Sequence, residues 1–149
     1  MGNTNSPPEQ HLKLSKPTLM LFRVISVAML VFILAITYLA NSGIDTLLFA
    51  FVRSVPYGDK LGHFFLYGLL TLILNLALNL KAITLYKWNV YLGSVIVIIF
   101  IALEELSQVF IPIRNVEYLD LVAGAIGIGL FTIICHLIKQ KVIEKGRLN

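Results

Sequence analysis

Four apolar runs, each about as long as a bilayer's hydrocarbon core is thick, govern what this chain can fold into. A core of about 30 Å takes about 20 helical residues at 1.5 Å rise per residue. Runs of that kind fall at 19–40, 61–80, 90–110 and 119–138 of the 149 residues. In hydrocarbon, backbone N–H and C=O groups must be paired within the segment, or across strands in a closed barrel. The runs do not alternate apolar with polar residues as barrel strands do, so they predict helices. The expected fold is all-α, an integral membrane four-helix bundle over 19–138. A flexible cytoplasmic arm over 1–18 precedes it, and a basic cytoplasmic tail over 139–149 follows.

Composition agrees with a lipid-facing surface. Hydrophobic residues make up 58% and charged residues 13%, with mean hydropathy +0.85, whereas soluble domains carry about 25% charged residues. The net charge of +4 and pI near 9.3 raise the question of nucleic acid. The bases flank the apolar runs instead of forming an aromatic-studded patch, so no nucleic-acid partner is expected. The single cysteine, Cys135, excludes an internal disulfide, a cysteine metal knuckle and a redox pair, and reads as a small core or lipid-facing residue.

The first run is too long for a signal-peptide core, and Tyr38-Leu39-Ala40 puts a bulky residue where cleavage needs a small one, so it reads as a retained anchor. The opening Met1-Gly2-Asn3-Thr4-Asn5-Ser6 fits the N-myristoylation pattern, which is short and reads as coincidence. Loop charges orient the chain. Lys13, Lys16, Arg23, Lys81, Lys87, Lys139, Lys141, Lys145 and Arg147 fall on one side, and Arg53, Lys60 and Arg114 on the other. That bias places both termini in the cytoplasm. Tyr86 and Trp88 at one interface, and Tyr57 and Tyr118 at the other, suit aromatic belts.

The remaining polar residues gather at the external end. Asp59, Lys60 and His63 stand at the start of the second run, and Glu104, Glu105 and Gln108 near the end of the third. Arg114 lies in the following loop and Asp120 in the first turn of the fourth. Asp59, His63 and Tyr67 share a helix face, and at least one of Glu104 and Glu105 shares a face with Gln108. Asp120, Ala123, Gly124 and Gly127 form a stripe whose small residues permit close helix approach. A charge at the centre of a span costs about 2.5–3.5 kcal/mol on insertion scales. Glu104 lies about 9 Å from the outer end, so its cost is partial; either one of the two adjacent acids holds a proton, or Lys60, Arg114 or a protonated His63 offsets them. Asn75, Asn79 and His136 lie toward the opposite end and either bond across helices or snorkel. The tail from Lys139 to Arg147 fixes topology and meets anionic lipid.

At these residues the chain resembles the VanZ-like family of small bacterial membrane proteins. The matching segments are Asp59-Lys60-Leu61-Gly62-His63-Phe64 and Glu104-Glu105-Leu106-Ser107-Gln108-Val109-Phe110-Ile111-Pro112-Ile113-Arg114, followed by Asp120 and Gly127. The family's acid-lysine-x-x-histidine falls on Asp59, Lys60 and His63, its acid-x-x-glutamine on Glu105 and Gln108, and its proline, arginine and aspartate on Pro112, Arg114 and Asp120. Gly124 stands where the family usually has asparagine, and Glu117 where it often has serine. The resemblance implies a multi-pass protein of the bacterial inner membrane. Its role would be that of an accessory or binding factor in the cell envelope, touching antibiotic resistance through sensitivity to glycopeptides or other envelope-active compounds.

Three functions follow. In the first, the cluster of Asp59, Lys60, His63, Glu104, Glu105, Gln108, Arg114 and Asp120 binds an envelope lipid, an amphiphile or a membrane-protein partner. In the second, the protein is a membrane-embedded enzyme on a lipid-linked substrate, with His63 or Glu105 as the catalytic acid/base and Lys60 or Arg114 holding an anionic group. In the third, it is an oligomeric proton-coupled transporter. The blander readings are a hydrogen-bonded helix-end histidine at His63 and an Arg114–Asp120 tie that pins the loop. No cofactor is implied. No two histidines lie at ligand spacing, so no metal is expected, and Ser107 lacks the surroundings of a hydrolase nucleophile.

Overall fold

The computed structural model describes residues 14–112 and 117–147. Over these it forms five helices and one short hairpin: α1 (Lys16–Asn41), α2 (Leu47–Ser54), α3 (Gly58–Ala77), β1 (Ala82–Leu85), β2 (Trp88–Tyr91), α4 (Leu92–Gln108) and α5 (Tyr118–Arg147). Three helices, α1, α3 and the Tyr118–Val142 stretch of α5, are long and apolar enough to cross a membrane. α4 is shorter, at 17 residues, and carries both Glu104 and Glu105.

Local chemistry moves the boundaries from those expected. α1 starts at Lys16, inside the expected arm, because the Ser15 hydroxyl accepts from Thr18 N–H at 3.3 Å and Pro17 occupies the first turn, where its missing N–H costs nothing. It ends in a Schellman motif: Gly43, at φ 68°, donates to the Ala40 carbonyl, and Ile44 donates to that of Leu39. α2 lies where the sequence reading had only a connection. Thr46 caps it by accepting from Phe49 N–H, and Asp45 pairs with Arg53 at 2.7 Å. The Arg53 hydrogen bonds hold the Asp45 carboxyl below its ordinary value. Both groups are exposed, so the pair sets geometry more than stability.

α3 stops at Ala77 instead of Leu80, because Asn79 and Leu80 both adopt positive φ. The chain then turns into a short hairpin, which the all-α expectation did not include, within a structure that is otherwise mostly helical. Ala82 pairs with Tyr91 and Leu85 with Trp88, leaving Tyr86-Lys87 as a two-residue turn with Tyr86 at φ 58°, the sign such turns need. The strand takes Trp88–Tyr91, so α4 begins at Leu92 instead of Val90, and it ends at Gln108 instead of Phe110. α5 continues through the basic tail to Arg147, well past the expected end at Ile138.

α1, α3, α4 and α5 share one core of Ile33, Tyr67, Leu70, Val97, Ile101 and Ile128. The small-residue stripe does what its composition allows. A Cβ on Gly127 would overlap the Phe64 carbonyl, so α5 can reach the α3 backbone only with glycine there. The outer surface is apolar. Of the whole of α1, only Ser26 and Ile33 are buried, while Val24, Val27, Val31 and Leu34 lie open, as befits a helix facing lipid instead of water.

Below the main core, Asn75 donates to Ser94 Oγ at 2.9 Å and accepts from Ser94 N–H at 3.2 Å. Ser94 Oγ in turn meets Thr132 Oγ1 at 2.7 Å. Of the two alternatives for Asn75, the structure selects the bond across helices, joining α3, α4 and α5. Cys135 is fully buried beside it, so the cysteine belongs to the core and does not face lipid. Interhelical hydrogen bonds of this kind contribute about 0.6–1.7 kcal/mol. Asn75→Ala is therefore expected to lower stability by about 1 kcal/mol, read as a shifted midpoint of unfolding in detergent. His136 instead contacts its own helix neighbour Gln140 at 2.9 Å and Tyr91 at 3.5 Å.

Candidate functional site

The start of α3, the end of α4 and the start of α5 meet at one end of the molecule, and each contributes charge. Lys60 lies at the centre of the exposed part. Its Nζ is 2.5 Å from Asp59 and 2.9 Å from Asp120, and it also donates to Glu117. Asp59 and Glu117 are half exposed, while Lys60 and Asp120 are mostly covered. One ammonium thus gathers three carboxylates from α3 and the first turn of α5 with the residue before it.

Deeper in, His63 Nδ1 is 2.9 Å from the Asp59 carbonyl. A carbonyl can only accept, so Nδ1 bears the proton. Nε2 faces Glu105 at 3.5 Å, an ion pair when the ring is doubly protonated. Glu104 lies beside it, buried under donors from three helices: Gln108 Nε2 at 2.9 Å, Tyr67 hydroxyl at 3.2 Å and Thr37 hydroxyl at 3.4 Å. The expected sharing of a face by the amide and an acid is met by Glu104, at i,i+4, and the Gln108 amide bonds that residue. Glu105 points to α3 instead.

Asp59, Lys60, His63, Glu104, Glu105, Gln108 and Asp120, expected from the sequence, therefore converge. Arg114 lies outside the described residues, as does its expected tie to Asp120; among the described residues, Lys60 is the cation that Asp120 meets. Three participants stand outside the cluster expected from the sequence. Tyr67 had a signal, being four residues after His63 on the same face. Glu117 carried one too, as an acid three residues before Asp120, a spacing that one helical turn closes. Thr37 gave none, since nothing in α1 distinguishes it from a residue that bonds its own backbone.

Two donor sets could hold a cation by proximity. His63, Glu105 and Asp120 offer ligand atoms within 4.8 Å of one another, as do Asp59, Glu117 and Asp120. The second set already encloses the Lys60 ammonium. The first is one imidazole and two carboxylates drawn from three helices, a grouping that no linear spacing of histidines would show.

A cavity of about 490 Å³ opens beside the cluster, between α1, α2 and α3. Its walls are apolar: Phe32, Ile33 and Ile36 from α1, Leu48, Phe49 and Val52 from α2, and Leu66 from α3. Its floor is polar, formed by Thr37, Asp59, His63, Tyr67, Glu104, Glu117 and Asp120. Ala40 and Gly62 complete the lining, and a Cβ on Gly62 would meet nothing within 4 Å. The glycine leaves open space that a side chain would fill. Among known proteins, no family model, no curated sequence and no solved structure matches this chain.

Proposed function

We propose that this protein binds an amphiphile at the extracytoplasmic end of a four-span bundle in the bacterial inner membrane, with both termini cytoplasmic. The observation that carries this reading is the cavity, in which apolar walls end on a floor of carboxylates, imidazole and phenol. Pockets for small ligands are commonly apolar with a few fixed polar groups, and this one opens beside helices whose outer faces suit lipid. α4, about 26 Å long at 1.5 Å per residue, is the shortest of the four proposed spans. The positive-inside bias supports the orientation. The resemblance to VanZ-like proteins supports an accessory role in the envelope, in which occupancy of this cavity alters sensitivity to glycopeptides or other envelope-active compounds.

Gly62 provides the test. Gly62→Leu fills the cavity without displacing a neighbouring atom at Cβ, and in a helix it also raises propensity. The variant is expected to unfold at the wild-type midpoint or slightly above it, while losing at least about tenfold in affinity for single-chain amphiphiles, about 1.4 kcal/mol. Equal binding by the folded variant would remove the cavity from the account.

A second reading, a membrane-embedded enzyme on a lipid-linked substrate, draws on His63. Its Nδ1 is fixed by a backbone carbonyl and its ring borders the cavity, an arrangement suited to acid/base work. Turnover of a bound lipid, lost in His63→Gln with binding retained, distinguishes it from a binder.

A further inference from the structure

Building on the amphiphile reading, we infer that the ligand's head group is cationic, and specifically a primary ammonium. The cavity floor presents four carboxylates, those of Asp59, Glu104, Glu117 and Asp120, and no lysine or arginine among the described residues that line it. Behind them stands Glu105, a fifth acid, paired with His63. Lys60 is the one lysine in the described cluster, and it already serves Asp59, Glu117 and Asp120 together. Among the described residues, five acids against one ammonium and one imidazole leave the floor negative.

Field and hydrogen bonding select the same head group. Next to low-dielectric helix walls, a negative floor attracts cations and repels phosphates or carboxylates more strongly than open water would allow. Ionised carboxylates accept hydrogen bonds and donate none. A primary ammonium brings three donors to those acceptors, a quaternary ammonium brings charge alone, and an anionic head brings neither. Glu104 is already filled by Gln108, Tyr67 and Thr37, so the accessible acceptors are the half-exposed Asp59 and Glu117. The apolar walls of α1 and α2 then receive the chain. Chain and head are thus read by different helices, and each can be altered alone.

The experiment compares dodecylammonium, dodecyltrimethylammonium and dodecyl phosphate, titrated into the full-length protein in an uncharged detergent, with Gly62→Leu as the background for partition into the micelle. Dodecylammonium is expected to bind at least about tenfold more tightly than dodecyl phosphate, with the trimethyl compound between them. Glu117→Gln, at the half-exposed rim, is expected to narrow that preference while leaving the unfolding midpoint nearly unchanged. Dodecyl phosphate binding as tightly as dodecylammonium, above the Gly62→Leu background, would overturn the head-group assignment and leave the cavity reading standing. An unaltered preference in folded Glu117→Gln would equally overturn the part assigned to the rim. No probe binding above that background would overturn both.

Discussion

Glu104→Ala is expected to release α1 from the other helices and to cost about 3 kcal/mol of stability. Glu104 is 8% exposed and accepts from Thr37 on α1, Tyr67 on α3 and Gln108 on its own helix. Hydrogen bonds to a charged group contribute about 1.5–3 kcal/mol, and a buried donor left without an acceptor costs a further 1–3 kcal/mol. The Thr37 contact is long and the region borders the cavity, which keeps the sum near the lower end. Glu104→Gln keeps an acceptor in place and is expected to cost about 1 kcal/mol. The check is the midpoint of unfolding in mild detergent, together with a double-mutant cycle against Tyr67→Phe. That cycle should return a coupling of about 0.5–1.5 kcal/mol. Independent, additive losses would mean that Glu104 does not hold the helices together through this bond.

The second large effect is expected at Lys60. Lys60→Met removes the ammonium that Asp59, Glu117 and Asp120 share. Asp59 and Glu117 are half exposed and lose little, since water replaces the partner. Asp120 is mostly covered, and leaving it without a cation gives most of an expected loss of about 2 kcal/mol. Adding Asp120→Asn should restore much of the loss. A loss that Asp120→Asn leaves untouched would point to lost packing of the lysine stem instead of lost charge.

How far the sequence carries the fold depends on the length of the segment. Runs of twenty apolar residues admit few structures, so α1, α3 and α5 were legible; the ends of α1 and α3 fall within three residues of those expected, while α5 runs nine residues past Ile138. α2 was missed because Leu47–Ser54 is too short to span and reads as connection; it exists because Thr46 caps it and α3 lies beneath it. The hairpin was missed because Ile83, Thr84 and Val90 form too short a pattern to outweigh the apolar run that follows. The site was legible where it lies at helix ends, as for Asp59, Lys60, His63, Gln108 and Asp120, since charges at span termini have few places to go. Whether Glu104 or Glu105 would face Gln108 was not legible, because one residue's rotation about α4 decides it. The cavity was invisible, since its walls come from α1 and from a helix the sequence reading did not foresee.

Reactivity at one engineered thiol tests orientation, access and occupancy together. Gly62→Cys places a thiol on the cavity wall, and the natural Cys135 is fully buried, so background labelling should be low. In intact cells, a membrane-impermeant maleimide is expected to label Gly62→Cys from outside, and saturating dodecylammonium to slow that labelling at least about tenfold. Labelling that requires access from the cytoplasmic side, or that proceeds at the same rate with the amphiphile present, would contradict an extracytoplasmic amphiphile site.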